Sequence, residues 1–351
     1  GNFNGNISTW NVSEVTGMGN MFYEAYNFNQ DLSNWDVSSV TDMSLMFYYA
    51  ESFNSNLSNW NVSNVMYMAN MFNNARNFDG NISTWDVGNV ETMANMFAEA
   101  EDFNDNLSNW NVSNVIYMHG MFQGAYSFNQ DISNWNVSNV TDMEDMFDRA
   151  INFNQDLSAW DVSNVTDMAY MFEGASNFNG DISGWDVSSV TKMKEMFEGA
   201  SNFNQDISQW NVSSVSSMRL MFSEASEFNQ DISSWDVSQA TTMYGMFSSA
   251  ESFNQDISSW NLSSIVNMEL MFDNANALSE ENQCAIHTAF QSNNACTYDW
   301  SEFCSLCNEG EVELWGDYVW GGCFDIATTT AIDFSNIYAP ISGVIPPEIG
   351  Q

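Results

Sequence analysis

Basic side chains are almost missing from this chain: five lysines and arginines stand against 46 aspartates and glutamates in 351 residues, a formal net charge of −41 at pH 7. Nucleic acid and anionic bilayers are held by cationic side chains that displace counterions, so both are excluded as main ligands. No run approaches the roughly 18 apolar residues of a membrane-spanning helix, and direct membrane insertion is not expected. No basic-then-apolar leader opens the chain, and Gly1 stands where a Met would, so a mature or excised segment is expected. Histidine occurs only at His119 and His287, and cysteine only after residue 283. Strong acidity ordinarily points to disorder, but 44% hydrophobic and 15% aromatic residues supply enough burial for folding.

What is present is one unit, repeated. Trp recurs at Trp10, Trp35, Trp60, Trp85, Trp110, Trp135, Trp160, Trp185, Trp210, Trp235 and Trp260, a spacing of 25 with no insertion over eleven copies. Positions equivalent to Phe3, Ser8, Met18, Met21, Phe22 and Ala25 are unchanged in all eleven. Ile7, Trp10 and Val12, with the alternation Trp10-Asn11-Val12-Ser13, predict a short strand. Val15, Met18, Met21, Phe22 and Ala25 follow helical spacing and predict a short helix. One unit cannot bury its apolar side, whereas stacked units can. The expected fold is therefore an α/β repeat solenoid: a parallel sheet with short helices over residues 1–278, eleven coils running roughly 50 Å along the axis. The equivalents of Asn4 are Asn in ten units and Asp at Asp79, which predicts an internal ladder of side-chain amides pairing with the backbone of neighbouring coils. After Ala275 the pattern breaks, and residues 278–290 read as an amphipathic helix capping the stack.

The frame Ile7-x-x-Trp10-x-Val12-x-x-Val15-x-x-Met18, with the wording F-N-x-D-I-S-x-W-D-V-S-x-V-T-x-M-x-x-M-F-x-x-A, resembles the BspA-like leucine-rich-repeat surface proteins. That resemblance covers residues 1 to about 278 and implies an extracellular or cell-surface location with an adhesive or interaction role; the family has no shared catalytic residues to transfer. Residues 279–308 are read as a C-terminal capping segment. Ile341-Ser342-Gly343-Val344-Ile345-Pro346-Pro347-Glu348-Ile349-Gly350 is similar to plant-type leucine-rich repeats. Residues 309–351 are accordingly read as the N-terminal cap and first repeat of a second such region, with continuation past Gln351 expected.

An extracellular setting permits disulfides, which small caps need most. Cys284, Cys296, Cys304 and Cys323 are the candidates, with Cys284–Cys296 the preferred pair; Cys304 and Cys307 form a lone C-x-x-C without a second pair at zinc spacing. Twelve N-x-S/T sequons fall at Asn6, Asn11, Asn56, Asn61, Asn81, Asn106, Asn111, Asn136, Asn139, Asn164, Asn211 and Asn261. They are candidate glycosylation sites in a eukaryotic host, or else the consequence of Asn and Asp being interchangeable at two positions of the unit. Paired acids at Asp31 and Asp36, Asp156 and Asp161, Asp181 and Asp186, and Asp231 and Asp236 would repel at strand spacing. Calcium would relieve that; the favoured alternative is a solvated acidic row that keeps the molecule soluble, since no D-x-D-x-D-G loop occurs. No other cofactor is expected.

Enzymes need a place where unlike groups converge, and eleven copies of the same groups argue against one. His119 and His287 read as packing or surface residues, and the paired Met positions as core. The expected function is a non-enzymatic adhesin or recognition scaffold. It would bind protein or carbohydrate through the face carrying Thr9, Asn11 and Ser13 and the tyrosines Tyr23, Tyr26, Tyr48 and Tyr49. The alternative is a structural subunit of a filament, stalk or surface layer. The uncapped first unit, Phe3 to Ala25, would there be covered by an upstream segment or by head-to-tail self-association.

Overall fold

The computed structural model describes residues 1–304, 311–313 and 323–325. Within 1–275 the units follow one another in strict register, joined by ten single-residue parallel bridges from Gly17↔Asp42 through to Thr242↔Asn267. The predicted α/β architecture is not what forms. No unit contains a helix or a strand, and there is no parallel sheet; each bridge is one residue wide.

The unit is a chain of β-turns, as residues 26–50 show. Backbone bonds run from Trp35 N–H to Leu32 O, Val40 N–H to Val37 O, Met46 N–H to Met43 O, Tyr48 N–H to Leu45 O and Ala50 N–H to Phe47 O. Each closes a four-residue turn. In the expected helical half, Leu45 and Tyr49 hold left-handed φ values of 59° and 55°. Both sit third in their turns, the position that type II turns require to be left-handed. Such a residue ends any right-handed helix and costs about 1–2 kcal/mol when it is not Gly. The offset is that alternate N–H groups point out of the unit. Met43, Leu45, Phe47 and Tyr49 donate to Tyr67, Ala69, Met71 and Asn73 of the next unit at 2.8–2.9 Å. In a helix those donors would be spent internally.

The constant residues fill the interior. From Trp35 to Trp260 the indoles are 2–5% exposed, and the Phe and Met columns between them are almost wholly buried. Each buried indole also donates Nε1–H to a carbonyl of the preceding unit, as Trp135 does to Leu107 O at 3.1 Å. Neighbouring indoles lie parallel, Trp60 and Trp85 with centroids 6.3 Å apart. The amide ladder is present, on the surface rather than inside: Asn29 N–H donates to Asn4 Oδ1 and Asn54 N–H to Asn29 Oδ1, continuing to Ser279 N–H and Asn254 Oδ1 at 2.8 Å. The first unit is less covered than those that follow. Phe3, Trp10 and Met21 are 48%, 54% and 38% exposed.

The other end is closed by helix α1, Glu280–Phe290, which starts where the ladder stops. Ser279 Oγ accepts from Asn282 N–H, acidic Glu280 and Glu281 occupy the first turn, and Ile286 and Phe290 are buried. Asn293 Nδ2 caps Leu262 O at 2.7 Å, and Tyr298 and Trp300 pack on Phe272 with ring centroids 5.5 and 5.3 Å away. The disulfide joins Cys284 to Cys304, not to Cys296, which is unpaired among the described residues. After α1 the chain crosses the last unit and a 3-10 turn at Ser301–Phe303 returns it, so Cys304 comes back against the helix with a Cα–Cα distance of 4.8 Å. Strands β1 (Glu311–Glu313) and β2 (Cys323–Asp325) pair antiparallel. The readings placed on Cys307, on pairing by Cys323, and on a plant-type repeat at 341–350 lie outside the described residues.

Candidate functional site

The paired Asn/Asp positions of the unit close turns. Asp31, Asp36, Asp156, Asp161, Asp181, Asp186, Asp231 and Asp236 each accept from the N–H of the Ser two residues on at 2.8–3.1 Å, the Asx-turn geometry. Bonds from the Ser side chain and backbone hold Asp31, Asp36, Asp156, Asp186, Asp231 and Asp236 below the usual carboxylate range. None of these eight acids joins a group of three ligand-bearing side chains among the described residues. Ten of the sequon asparagines, Asn6, Asn11, Asn56, Asn61, Asn81, Asn106, Asn111, Asn136, Asn211 and Asn261, use Oδ1 in the same turn. Asn and Asp interchange there because the turn needs only an acceptor oxygen. Asn139 and Asn164 differ, donating Nδ2–H to Ser113 O and Ser138 O at 2.7 and 2.8 Å.

The variable positions create three distinct surfaces. A groove of about 910 Å³ runs along the stack between an Asn row, Asn64, Asn89, Asn114 and Asn139, and the row Thr41, Met66, Glu91, Ile116 and Thr141. Each Asn of that row donates Nδ2–H to a carbonyl of the preceding unit, for example Asn89 to Ser63 O at 2.7 Å, so the rim is preorganised. Near the first unit the tyrosines named from the sequence converge. Tyr23 stacks on Tyr48 at 4.8 Å, Tyr48 meets Tyr49 edge-on at 4.8 Å, and Tyr26 meets Tyr49 at 6.4 Å. Burial raises the Tyr48 phenol, aided by neighbouring Tyr49.

The third surface was missed from sequence. Four of the five cations, Arg149, Lys192, Lys194 and Arg219, cluster with acids in the middle of the stack. Lys192 Nζ pairs with Asp167 at 2.6 Å, Arg149 with Glu99 at 2.8 Å, and Arg219 with Glu195. His119 belongs here: Nδ1 lies 3.3 Å from Asp142 Oδ2, close enough for an ion pair though out of line for a hydrogen bond, and Asp142 raises the imidazole's pKa against its burial. His287 sits apart on α1, where its Nδ1 faces Trp300 N–H at 3.4 Å. Among the described residues two acid triads occur, Asp142/Glu144/Asp167 and Glu173/Glu195/Glu198. Burial, then neighbouring carboxylates, pushes Glu173 and Glu198 up to about 7 and Asp145 up to about 6. The signal available was the concentration of a scarce residue type within residues 149–219.

Among the described residues no helix is long and apolar enough to cross a membrane. No curated protein matches the chain. A family model described as Mycoplasma protein of unknown function, DUF285, matches three consecutive stretches, residues 1–83, 67–184 and 175–284. Those stretches take in every 25-residue unit, and the chain belongs to the DUF285 family.

Proposed function

We infer that this repeat protein is a non-enzymatic recognition scaffold at a cell surface or outside the cell, binding carbohydrate or protein through the variable positions of its stack. The observation that carries this is the tyrosine patch. Four side chains from two units gather into one partly exposed cluster, with Tyr23 43% and Tyr26 36% exposed, although none is needed by the buried columns. Aromatic rings with a polar tip suit sugar faces and protein contacts alike. The Asn-rimmed groove, on a separate surface, offers further amide groups. The resemblance of the repeat wording to BspA-like surface proteins supports the location. Binding to a glycan array and to intact cells tests the reading. Tyr23→Ser with Tyr49→Ser should weaken binding, and unchanged binding in the double variant, or no ligand in either format, would sink it.

A further inference from the structure

Tyr23, Glu24 and Tyr26 stand one repeat before Tyr48, Tyr49 and Glu51, so the tyrosine patch is a small lattice of three columns: Tyr23 with Tyr48, Glu24 with Tyr49, and Tyr26 with Glu51. Backbone bonds fix this register, Glu24 N–H donating to Tyr48 O at 2.7 Å and Ser52 N–H to Tyr26 O at 3.1 Å. Tyr23 and Tyr48 lie within 14° of parallel, whereas Tyr49 stands edge-on to Tyr48 and to Tyr26, at 64° and 85°. At the equivalent positions of the later repeats the only aromatic residue is Tyr126, so the fold does not require these rings. Glu24 and Glu51 have no salt-bridge partner among the described residues: Arg76, next in the Glu51 column, pairs onward with Glu101 at 3.0 Å, and the Gly1 amine donates to the Glu24 carbonyl. Among the described residues no cation lies over the four rings either, the two that cover tyrosines being elsewhere.

The middle of the stack shows what a tyrosine and a glutamate in one column hold. Tyr170 and Glu195 are also column neighbours, and the Lys194 ammonium lies 4.6 Å from the Tyr170 ring centroid and 3.3 Å from Glu195 Oε1. Arg219 likewise stands 5.4 Å from the Tyr244 centroid while pairing with Glu195. A ring face and a carboxylate attract the same cation, each adding to the other. We propose that the tyrosine patch takes a basic segment of a partner protein, its arginine or lysine side chains seated at the Tyr26–Glu51 and Glu24–Tyr49 pairs, an inference that rests on the reading of this patch as a recognition surface. Two such pairs call for two or more cationic side chains. The chain carries 46 acids against five lysines and arginines, which attracts a basic partner and repels a second copy of itself. A neutral sugar would stack on the rings but leave the charge of both carboxylates unmatched.

The test is fluorescence anisotropy of a labelled peptide of four Arg-Gly pairs titrated with the chain in about 0.15 M NaCl, where diffuse attraction to the surface charge is screened. Saturable binding is expected, lost when citrulline, neutral and of the same shape, replaces arginine. Tyr26→Leu with Tyr49→Leu keeps apolar area but removes the π faces, and should weaken binding about fivefold or more. Glu24→Gln with Glu51→Gln should also weaken it. Asp231→Asn with Asp236→Asn removes the same charge far along the stack, keeps both Asx turns and should bind as the parent does. Circular dichroism confirms that each variant folds, and Tyr23→Leu replaces any tyrosine variant that does not. No saturable binding, equal binding of the citrulline peptide, parental affinity in the tyrosine variant, or an equal loss in the distant aspartate variant would each overturn the proposal. If the basic peptide fails while glycans or cells still bind in a way that Tyr23→Ser with Tyr49→Ser weakens, the basic partner is refuted and the recognition surface stands.

Discussion

Replacing Trp135 by Phe removes one donor and part of one ring from the middle of the stack. Trp135 is 2% exposed, its Nε1 donates to Leu107 O at 3.1 Å, and its ring lies parallel to that of Trp160 at 6.4 Å. Phenyl keeps much of the apolar contact but removes one of the two donors to the Leu107 carbonyl, which keeps its turn bond from Trp110 N–H at 3.0 Å; the lost bond costs about 0.5–1.5 kcal/mol. The unfilled part of the indole space adds about 1 kcal/mol. The expected loss is therefore about 1.5–2.5 kcal/mol. Trp10→Phe makes the same chemical change where the ring is 54% exposed and has no acceptor, and should stay within about 0.5 kcal/mol. Guanidinium unfolding of both variants, followed by far-UV circular dichroism, reads the difference. Equal losses, or a Trp135→Phe cost as small as that of Trp10→Phe, would refute the role assigned to the buried indole bond.

Three further outcomes are expected. Asp36→Ala should lower the unfolding midpoint while Asp36→Asn leaves it unchanged, because the turn needs an acceptor rather than a charge; a larger effect of Asn than of Ala would contradict the Asx assignment. Glu173 and Glu198 are raised from 4.5 to about 7, so the stabilisation they give is present below 4.5 and is lost as pH rises through 7. The turn aspartates are lowered from 3.8, so their contribution is lost as pH falls below that value. The melting temperature of the chain should thus peak on the acid side of neutrality, and a maximum at alkaline pH would contradict the signs. Reducing Cys284–Cys304 should expose the segment after Cys284 to proteolysis and leave the units folded, as limited digestion with mass analysis would show.

Period, register, buried columns, the amide ladder and the capping helix were all legible in the sequence, because a strict 25-residue repeat places like residues above one another. The local conformation was not. Val15, Met18, Met21, Phe22 and Ala25 follow a spacing that a helix and a run of four-residue turns share, since both return the chain to one side every third or fourth residue. The distinguishing signal lay in the variable positions: Gly120, Gly124, Gly174, Gly199 and Gly245, with Asn70 and Asn74, fall where φ is positive. The acid cluster was hidden differently. Glu173 and Glu198 are one repeat apart and visibly aligned, whereas Glu195 stands outside their column, at a left-handed turn position of φ 59°. The disulfide partner of Cys284 depended on the path over Phe272, which no spacing rule encodes.

Position 249 gives the most direct test that the units are turns and not helices. Ser249 has φ 57°, its N–H donates to Asp273 O of the next unit at 2.7 Å, and its side chain makes no hydrogen bond among the described residues. Ser249→Gly and Ser249→Ala are compared by equilibrium unfolding. A left-handed turn position makes Gly the more stable by about 1 kcal/mol. A helical position reverses the order, with Ala ahead by about 1 kcal/mol. The account predicts Gly above Ala; Ala above Gly would contradict it.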